Sequence, residues 1–351
     1  MNKELIEKVT EMMKPYPVYL VGGAVRDYLM GNIPKDYDFC TPATPDEIEE
    51  KIHAFPNDHG DPTKVYGIGK RFGTLGCKVG SEMVEITTFR AEKYSPGNRK
   101  PEVTYVKSIT EDLSRRDFTI NAMAIRITKG HIRIIDPFEG QEDLERRLIR
   151  AVGSPKQRFK EDPLRILRAV RFACRYNFEI EQATYKKMQS GAINILNISK
   201  ERWMMELDKI LQSDFVERGL MDLWQSNLFR YMIPELELQN GYDQNSEYHD
   251  WNLDVHTINV VNAVRKDTDN LNMLWAALLH DSMKPFLRTE NTKGYSNYIG
   301  HEVLGASLVD KYAKYLNWSE ERHKVVRDLV LNHLNDDSPL RKYDNMCKLN
   351  K

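Results

Sequence analysis

The sequence has little sulfur to pair. Four cysteines, Cys40, Cys77, Cys174 and Cys347, are scattered through 351 residues and form no C-x-x-C. Reduced thiols in a cytoplasm are the simple reading. Long apolar runs are missing too. None approaches 18 residues, so no transmembrane helix is expected. The first sixteen residues, MNKELIEKVTEMMKPY, read as an amphipathic helix rather than a signal peptide. Internal repeats and low-complexity tracts are absent. So is an excess of either charge: the formal net charge is −1. That excludes a uniformly basic nucleic-acid binder but not a local basic patch. Residues 156–175 carry seven Lys/Arg against two acids, whereas 231–255 carry six acids and no Lys/Arg. A basic patch on a neutral protein can still hold a phosphate backbone. Length sets a prior of two or three domains.

What is present is concentrated near the start. Residues 18–41 read VYLVGGAVRDYLMGNIPKDYDFCT. An apolar strand, 18–21, runs into Gly22-Gly23. A short helix over 24–30 is closed by Gly31. A second strand is expected to carry Asp36 and Asp38, whose i, i+2 spacing puts both carboxylates on one face. Paired carboxylates on a rigid edge suit two hard divalent cations. Two such ions flanking a phosphate oxygen activate a hydroxyl and stabilise a leaving pyrophosphate. Glycines let backbone N–H groups approach phosphates closely, and Arg26 sits where it can neutralise them.

The order G-G-x-V-R-D followed by D-x-D resembles the class II nucleotidyltransferases, which comprise tRNA CCA-adding enzymes and related bacterial poly(A) polymerases. Residues 115–124, RRDFTINAMA, match the family's second motif. The resemblance assigns Arg116 to phosphate, and Asp117 and Asn121 to the neighbourhood of the sugar. Glu85, in a strand expected over 83–90, is a third carboxylate that would complete a two-metal site. The polar segment Ala91–Pro101 reads as a loop. In the family a loop here accompanies the switch from CTP to ATP.

Residues 161–175 read EDPLRILRAVRFACR. By itself Asp162, just before Pro163, reads as a helix N-cap. Yet Asp162, Arg165 and Arg168 step by three along one helix side, while Leu164, Leu167 and Val170 can face a core. A carboxylate accepts from an exocyclic amine, and a guanidinium donates to ring nitrogens and carbonyls. Such a pair reads C and A and meets the wrong polarity in U and G. The stretch resembles the family's E-D-x-x-R motif, in which side chains act as the template. Glu161, Asp162 and Arg165 match it, and Arg168 and Arg171 match further nucleotide-contact positions.

The C-terminal half holds His256, then His280-Asp281 in LLHDSMKP, His301 in YIGHE and His333 in LVLNHL. It resembles the HD domain, a helical metal-dependent phosphohydrolase fold. These residues from separate helices would hold a divalent transition metal. Adjacent residues reach one ion only at a helix end or irregular turn, and Pro285 makes such a break credible. Two departures stand out. Ser282 and Met283 replace the usual Ile-Gly pair, and the distal aspartate is not evident, with Asp336, Asp337 and Asp344 as candidates. The chain also lacks the family's long tRNA-binding tail.

The fold expected is an α/β head of the nucleotidyltransferase kind, with a small mixed or antiparallel sheet, followed by an all-α body that includes an HD-like domain. The expected division is 1–142 for the head, 143–238 for a helical neck with the base-reading helix, and 239–351 for the HD-like part. Asparagine- and acid-rich residues 239–254 mark the second boundary. Helices are expected over 45–54, where Thr44-Pro45-Asp46-Glu47 is a capping box, and over 164–176, 202–212 and 271–280. Further strands are expected near 72–79 and 131–135. The resemblance implies addition of CMP and AMP to a tRNA 3′ end from CTP and ATP, with Mg²⁺ in the head, in a cytoplasmic enzyme with neither membrane nor DNA as partner. A poly(A) polymerase and an A-only adding enzyme share the head. An HD phosphohydrolase with a degenerate head is the alternative of another class, and intact Asp36, Asp38, Arg116 and Asp162 argue against it.

Overall fold

The computed structural model describes residues 2–56, 63–67, 69–93, 102–128, 130–247 and 251–348. They gather into two compact units, Met1–Asp162 and Pro163–Lys351.

The first unit is built on strands β1 (Tyr19–Val21), β2 (Tyr37–Thr41), β3 (Val65–Tyr66), β4 (Thr74–Val79), β5 (Glu82–Thr88), β6 (Arg90–Lys93), β7 (Glu102–Tyr105), β8 (Ala124–Thr128) and β9 (His131–Ile135). Seven of them form one sheet in the order β3-β4-β5-β2-β1-β8-β9. Only β2 and β5 run parallel; the other neighbours are antiparallel. The sheet is therefore mixed, as expected. Leu20, Phe39, Leu75, Val84, Ile86 and Ile125 turn to one core, which helices cover with Ile6 and Val9 and with Ile48 and Ile52. The second of these helices, Pro45–Ala54, starts where its sequence says it should. Thr44 Oγ1 accepts from the Glu47 N–H at 3.3 Å, and a Glu47 carboxylate oxygen accepts from the Thr44 N–H at 2.7 Å. Two otherwise orphaned donors are satisfied reciprocally. The N-terminal helix, Lys3–Met12, buries Leu5, Ile6, Val9 and Met12 and is the amphipathic helix expected.

Two local expectations change. Asp36 lies in a bend one residue before β2 rather than in the strand. On one side β1 ends at Val21, opposite Asp38, and the chain turns through Gly22, so Asp36 has no partner on that strand. The segment Ala91–Pro101 is not all loop either. Residues 91–93 belong to β6, which pairs antiparallel with β7, Ala91 opposite Thr104. Residues 94–101 lie outside the described set.

The second unit is helical. Leu164–Tyr176 ends at Asn177, whose φ of 53° is left-handed, a common helix stop for asparagine. Lys200–Leu211 and Val216–Gln225 pack against it. Leu253–Asp267, Leu271–Leu279, His301–Tyr315 and Glu320–Leu331 follow, then the short Arg341–Met346. Trp275 and Trp318 meet edge to face, with ring centroids 5.0 Å apart. Helix Leu253–Asp267 also packs on Val216–Gln225, so the acidic stretch 239–254 joins helices of one compact unit.

Candidate active sites

In the head, the turn from β1 into helix Gly23–Leu29 sets the geometry. Gly22 has φ +69°, and a Cβ there would stand 3.1 Å from Arg116 Nη1. The missing side chain is the space the guanidinium occupies. Asp38 pairs in register with Glu85 across the parallel strands β2 and β5. Directly opposed residues share a sheet face, so the two carboxylates are neighbours. The Asp38 side chain is exposed at one side, yet the surrounding strands remove much of its hydration. That desolvation raises its pKa; Glu85 and Asp36 raise it further, and Arg116 pulls it down. Carboxylates that repel one another on a rigid edge fit a divalent cation, which would relieve the repulsion. Asp36, Asp38 and Glu85 are not gathered as tightly as a closed metal cage: among the described residues, triplets within 4.8 Å occur only in the second unit.

Asp112 was not foreseen. It is fully buried and accepts from Arg115 Nε at 3.1 Å, Arg115 Nη2 at 2.9 Å, Arg116 Nη2 at 3.2 Å and the Arg90 N–H at 3.2 Å. Burial alone would raise its pKa, but the two guanidiniums and the N–H outweigh that and lower it. The only sequence signal was its i+3 and i+4 spacing to the arginine pair. Arg26 is fixed by side chains around it. It is buried, with Nη1 2.5 Å from Asn121 Oδ1 and Nε and Nη2 at 3.0 and 2.8 Å from Asp27 Oδ1. Asn121 Nδ2 in turn donates to Asp117 Oδ1 at 3.1 Å, which also accepts the Phe118 N–H. The structure thus joins Asp117 to Asn121 and sets Arg26 against Asn121.

Near the end of the first unit, helix Pro155–Glu161 carries Glu161, whose Oε1 accepts from Arg158 Nη2 at 2.8 Å. Asp162 is the C-cap of that helix, not the N-cap of the next, a place taken by Pro163. Within the second unit Arg165 and Arg171 are buried, and Arg168 is half-buried. The helix is buried around most of its circumference. Arg171 Nε lies 3.1 Å from Glu206 Oε2, and its guanidinium stacks 4.5 Å from the Phe172 ring centre.

The second site is a buried cluster in the helical unit. His280 is the C-cap of Leu271–Leu279, and Asp281 begins the turn that Pro285 follows. That helix end is what brings two adjacent residues to one place. Asp281 Oδ2 lies 3.1 Å from His280 Nε2 and 3.3 Å from His256 Nε2; Oδ1 lies 3.1 Å from His301 Nε2 and 3.6 Å from His333 Nε2. Of the three aspartates considered, the structure selects Asp344, whose Oδ1 is 3.2 Å from His256 Nε2; Asp336 and Asp337 are exposed. Lys284 Nζ sits 2.7 Å from Asp281 Oδ2 and donates to Gln244 Oε1. Burial would raise the Asp281 pKa, but His280, Lys284 and His256 hold it well below the usual range. Ser282, one of the two motif departures, donates its hydroxyl to the Leu279 carbonyl. It fills its place without adding a donor to the cluster. Beside the cluster lies a cavity of about 610 Å³ lined by Lys284, His301, His333, Arg341, Asp344 and Lys348, among others.

Imidazole tautomers test whether a cation fits. Nδ1 of His280, His301 and His333 lies 2.8, 2.6 and 2.7 Å from the carbonyls of Ala277, Tyr298 and Val330. A carbonyl only accepts, so each Nδ1 carries the hydrogen and each neutral Nε2 presents a lone pair. Nε2 of His301 and His333 are 3.1 Å apart. Two lone pairs facing at that distance repel, and either a proton on one Nε2 or a cation held by both relieves the repulsion. The donor set suits a divalent transition metal.

Comparison with known proteins follows the same division. A poly A polymerase head domain matches residues 18–150, a probable RNA and SrmB-binding site of polymerase A matches 177–239, and an HD domain matches 253–349. A CCA-adding enzyme of Staphylococcus saprophyticus is 39% identical over 231 residues, 66% of this chain and 54% of that relative. One from Staphylococcus aureus is 35% identical over 344 residues, 94% of this chain and 78% of the relative. The crystal structure of the Bacillus stearothermophilus CCA-adding enzyme in complex with CTP is 27% identical, with a TM-score of 0.62, covering 98% of this chain and 80% of that one. A tRNA nucleotidyltransferase complexed with a primer tRNA and an incoming ATP analog is 25% identical, with a TM-score of 0.62, covering 97% and 94%.

Proposed function

The chain belongs to the CCA-adding enzyme family of tRNA nucleotidyltransferases, and from that premise we propose that it adds CMP and AMP to the 3′ end of tRNA, consuming CTP and ATP and releasing pyrophosphate. The observation that carries the reading is the meeting of Gly22, Arg116, Asp38 and Glu85 in the head. Asp36, Asp38 and Glu85 are the residues that would hold Mg²⁺. When bound, it supplies charge neutralisation of the triphosphate and a lowered pKa for the attacking hydroxyl. Arg116, set over the side-chain-free Gly22, takes the phosphates, and the backbone N–H groups of Gly22 and Gly23 lie along the same path. Asp117 and Asn121 orient the sugar, with Arg26 fixing Asn121 behind them. Glu161, Asp162 and Arg165 present the donors and acceptors that select C and A, with Arg168 and Arg171 supporting them. Positioning and fixed charge supply most of the acceleration in such a site. Residues 1–142 serve catalysis, 143–238 base selection and RNA contact, and 239–351 the second site. Among the described residues no helix is long and apolar enough to cross a membrane. Free thiols at all four cysteines suit a cytoplasmic enzyme.

Incubation with tRNA lacking CCA and each nucleoside triphosphate, singly and in pairs, tests this reading. Two cytidines from CTP alone and a final adenosine when ATP joins are expected. Adenosine alone on tRNA ending in CC indicates an A-only enzyme, and a long adenosine ladder indicates a poly(A) polymerase. A second activity is favoured by the His/Asp cluster: hydrolysis of phosphoesters, with 2′,3′-cyclic phosphates as first substrates, dependent on Mn²⁺, Ni²⁺ or Co²⁺ held by His256, His280, Asp281, His301 and His333. Release of the monoester by metal-loaded protein checks it.

A further inference from the structure

The face of the head sheet that carries Asp38 is covered on one side and open on the other. Val21 stands opposite Asp38, Ala124 opposite Val21, and Cys40 two residues on from Asp38, so all four share that face. Val21, Cys40 and Ala124 are buried in a second core with Leu113 and Ala122. Among the described residues that cover ends at Asp38. Glu85 lies opposite Asp38, Gly76 opposite Glu85 and Tyr66 opposite Gly76, one row across β2, β5, β4 and β3. Lys78 and Met83 form the next pair along the same face, and Lys64 precedes Tyr66 by two residues. Met83 is 52% exposed and Tyr66 40%, and Lys64, Lys78 and Glu85 are exposed as well. The alternate residues Leu75, Cys77, Val84 and Ile86 are buried on the other side. An aromatic ring, a thioether and two ammonium groups therefore stand in water on one strip that runs out from the carboxylates.

We propose that this open strip seats the single-stranded 3′ end of the RNA that receives the nucleotide, with Tyr66 stacked on a base and Lys64 and Lys78 on backbone phosphates. The inference rests on the reading of the head as a nucleotide-adding site and adds where the acceptor strand lies. In-line displacement puts the attacking hydroxyl and the leaving pyrophosphate on opposite sides of the reacting phosphorus. Arg116, over Gly22, takes the phosphates on the β1 side of Asp38. The hydroxyl therefore enters from the β5 side, where Glu85 stands. From Asp38 to Tyr66 is three strand spacings, about 14 Å, enough for a short run of nucleotides. Gly76 puts no side chain into that path; a Cβ there would stand 3.5 Å from Tyr66 Cβ. Lys64 Nζ lies 5.3 Å from the Tyr66 ring centre, so a cation is held beside the ring. Aromatic rings flanked by cations hold single strands without reading their sequence. That tolerance suits an acceptor whose last base changes with every addition.

The experiment assays the full chain with tRNA lacking CCA, varying tRNA and CTP separately. Tyr66→Ala and Lys64→Glu/Lys78→Glu should each raise KM for tRNA about tenfold and leave KM for CTP within about twofold. Tyr66→Phe keeps the ring and should stay near the starting protein. Gly76→Leu tests the path from the opposite direction, by filling it, and should also raise KM for tRNA. The substitutions add and remove bulk at exposed positions, so the loss of fold in one variant leaves the others to report. A rise in KM for CTP with that for tRNA unchanged would give the strip to the incoming nucleotide and overturn the proposal. Unchanged constants for both substrates in the folded variants would overturn it as well. A starting protein that adds no nucleotide to tRNA overturns the reading of the head itself, and the acceptor path with it.

Discussion

Asp112 shows how a buried charge is explained by its neighbours. A carboxylate without accessible surface is costly unless charged and N–H donors surround it, and here Arg115, Arg116 and the Arg90 N–H do. Its role is to aim Arg116 over Gly22. Asp112→Asn keeps the shape and removes the charge, weakening bonds worth about 1.5–3 kcal/mol each. A fall in kcat/KM for CTP of about tenfold to a hundredfold is expected, carried mainly by KM. Steady-state kinetics check it; an unchanged KM would mean that Arg116 is aimed by something else. Asp222 makes a different prediction. It is buried, its pKa is pushed up to about 6 by desolvation and by Glu179, and Arg218 at 4.0 Å offsets only part of this. The native state therefore holds a proton that the unfolded chain, with an ordinary value of 3.8, has released. Stability from that proton is present near pH 4 and is lost as pH rises through about 6. Two pKa units correspond to about 3 kcal/mol. Asp222→Asn should raise the unfolding midpoint at pH 7.5, with the gain shrinking as pH falls toward 4. A gain that is equal at both pH values would place the effect in packing rather than in the charge.

At the scale of elements, what the sequence disclosed depended on whether the signal was local. Helix Pro45–Ala54 was legible because its cap lies in four consecutive residues, and Leu164–Tyr176 because a strong apolar period runs up to an asparagine that stops it. The surroundings of that helix were not legible: packing buries Arg165 and pairs Arg171 with Glu206, 35 positions away. Strands β3 and β8 escaped notice because one is two residues long and the other follows the arginine motif without a turn signal. Asp36 lies outside β2, beyond the point where β1 stops pairing with it. In the head, the residue types and their order were visible while their partners were not; Arg26 meets Asn121 across the fold, and Asp112 holds the arginine pair three and four positions further on. The helix proposed to select the base yields its own prediction. Arg165→Ala should relax base choice, since a lost base contact is worth about 1–3 kcal/mol of discrimination. Competition of UTP and GTP against CTP should shift by about tenfold to a hundredfold, with little change in triphosphate affinity. Undiminished rejection of UTP and GTP would return Arg165 to a role in packing.

For the whole molecule the question is whether two chemistries share a chain without sharing a site. The carboxylates of the head and the His/Asp cluster lie in separate compact units, Met1–Asp162 and Pro163–Lys351. Their donors differ as well. Oxygen-only ligands in the head suit Mg²⁺, whereas the imidazoles of the second unit suit Mn²⁺, Ni²⁺ or Co²⁺. His280 and Asp281 belong to the cluster, and Asp281 lines its cavity; their loss removes donors to any ion there and leaves Asp36, Asp38 and Arg116 as they are. The double variant His280→Ala/Asp281→Ala should therefore lose hydrolysis of 2′,3′-cyclic phosphates and retain nucleotide addition within about twofold. Replacing a buried Asp281 also strands Lys284, whose ammonium loses its 2.7 Å partner, and an uncompensated buried charge costs several kcal/mol. The variant is accordingly measured beside Asp281→Ala/Lys284→Met, which removes both charges together. If both remain folded by circular dichroism and both add nucleotides, the two sites work independently. If both remain folded and neither adds nucleotides, the helical unit contributes to the chemistry of the head and the division of labour fails.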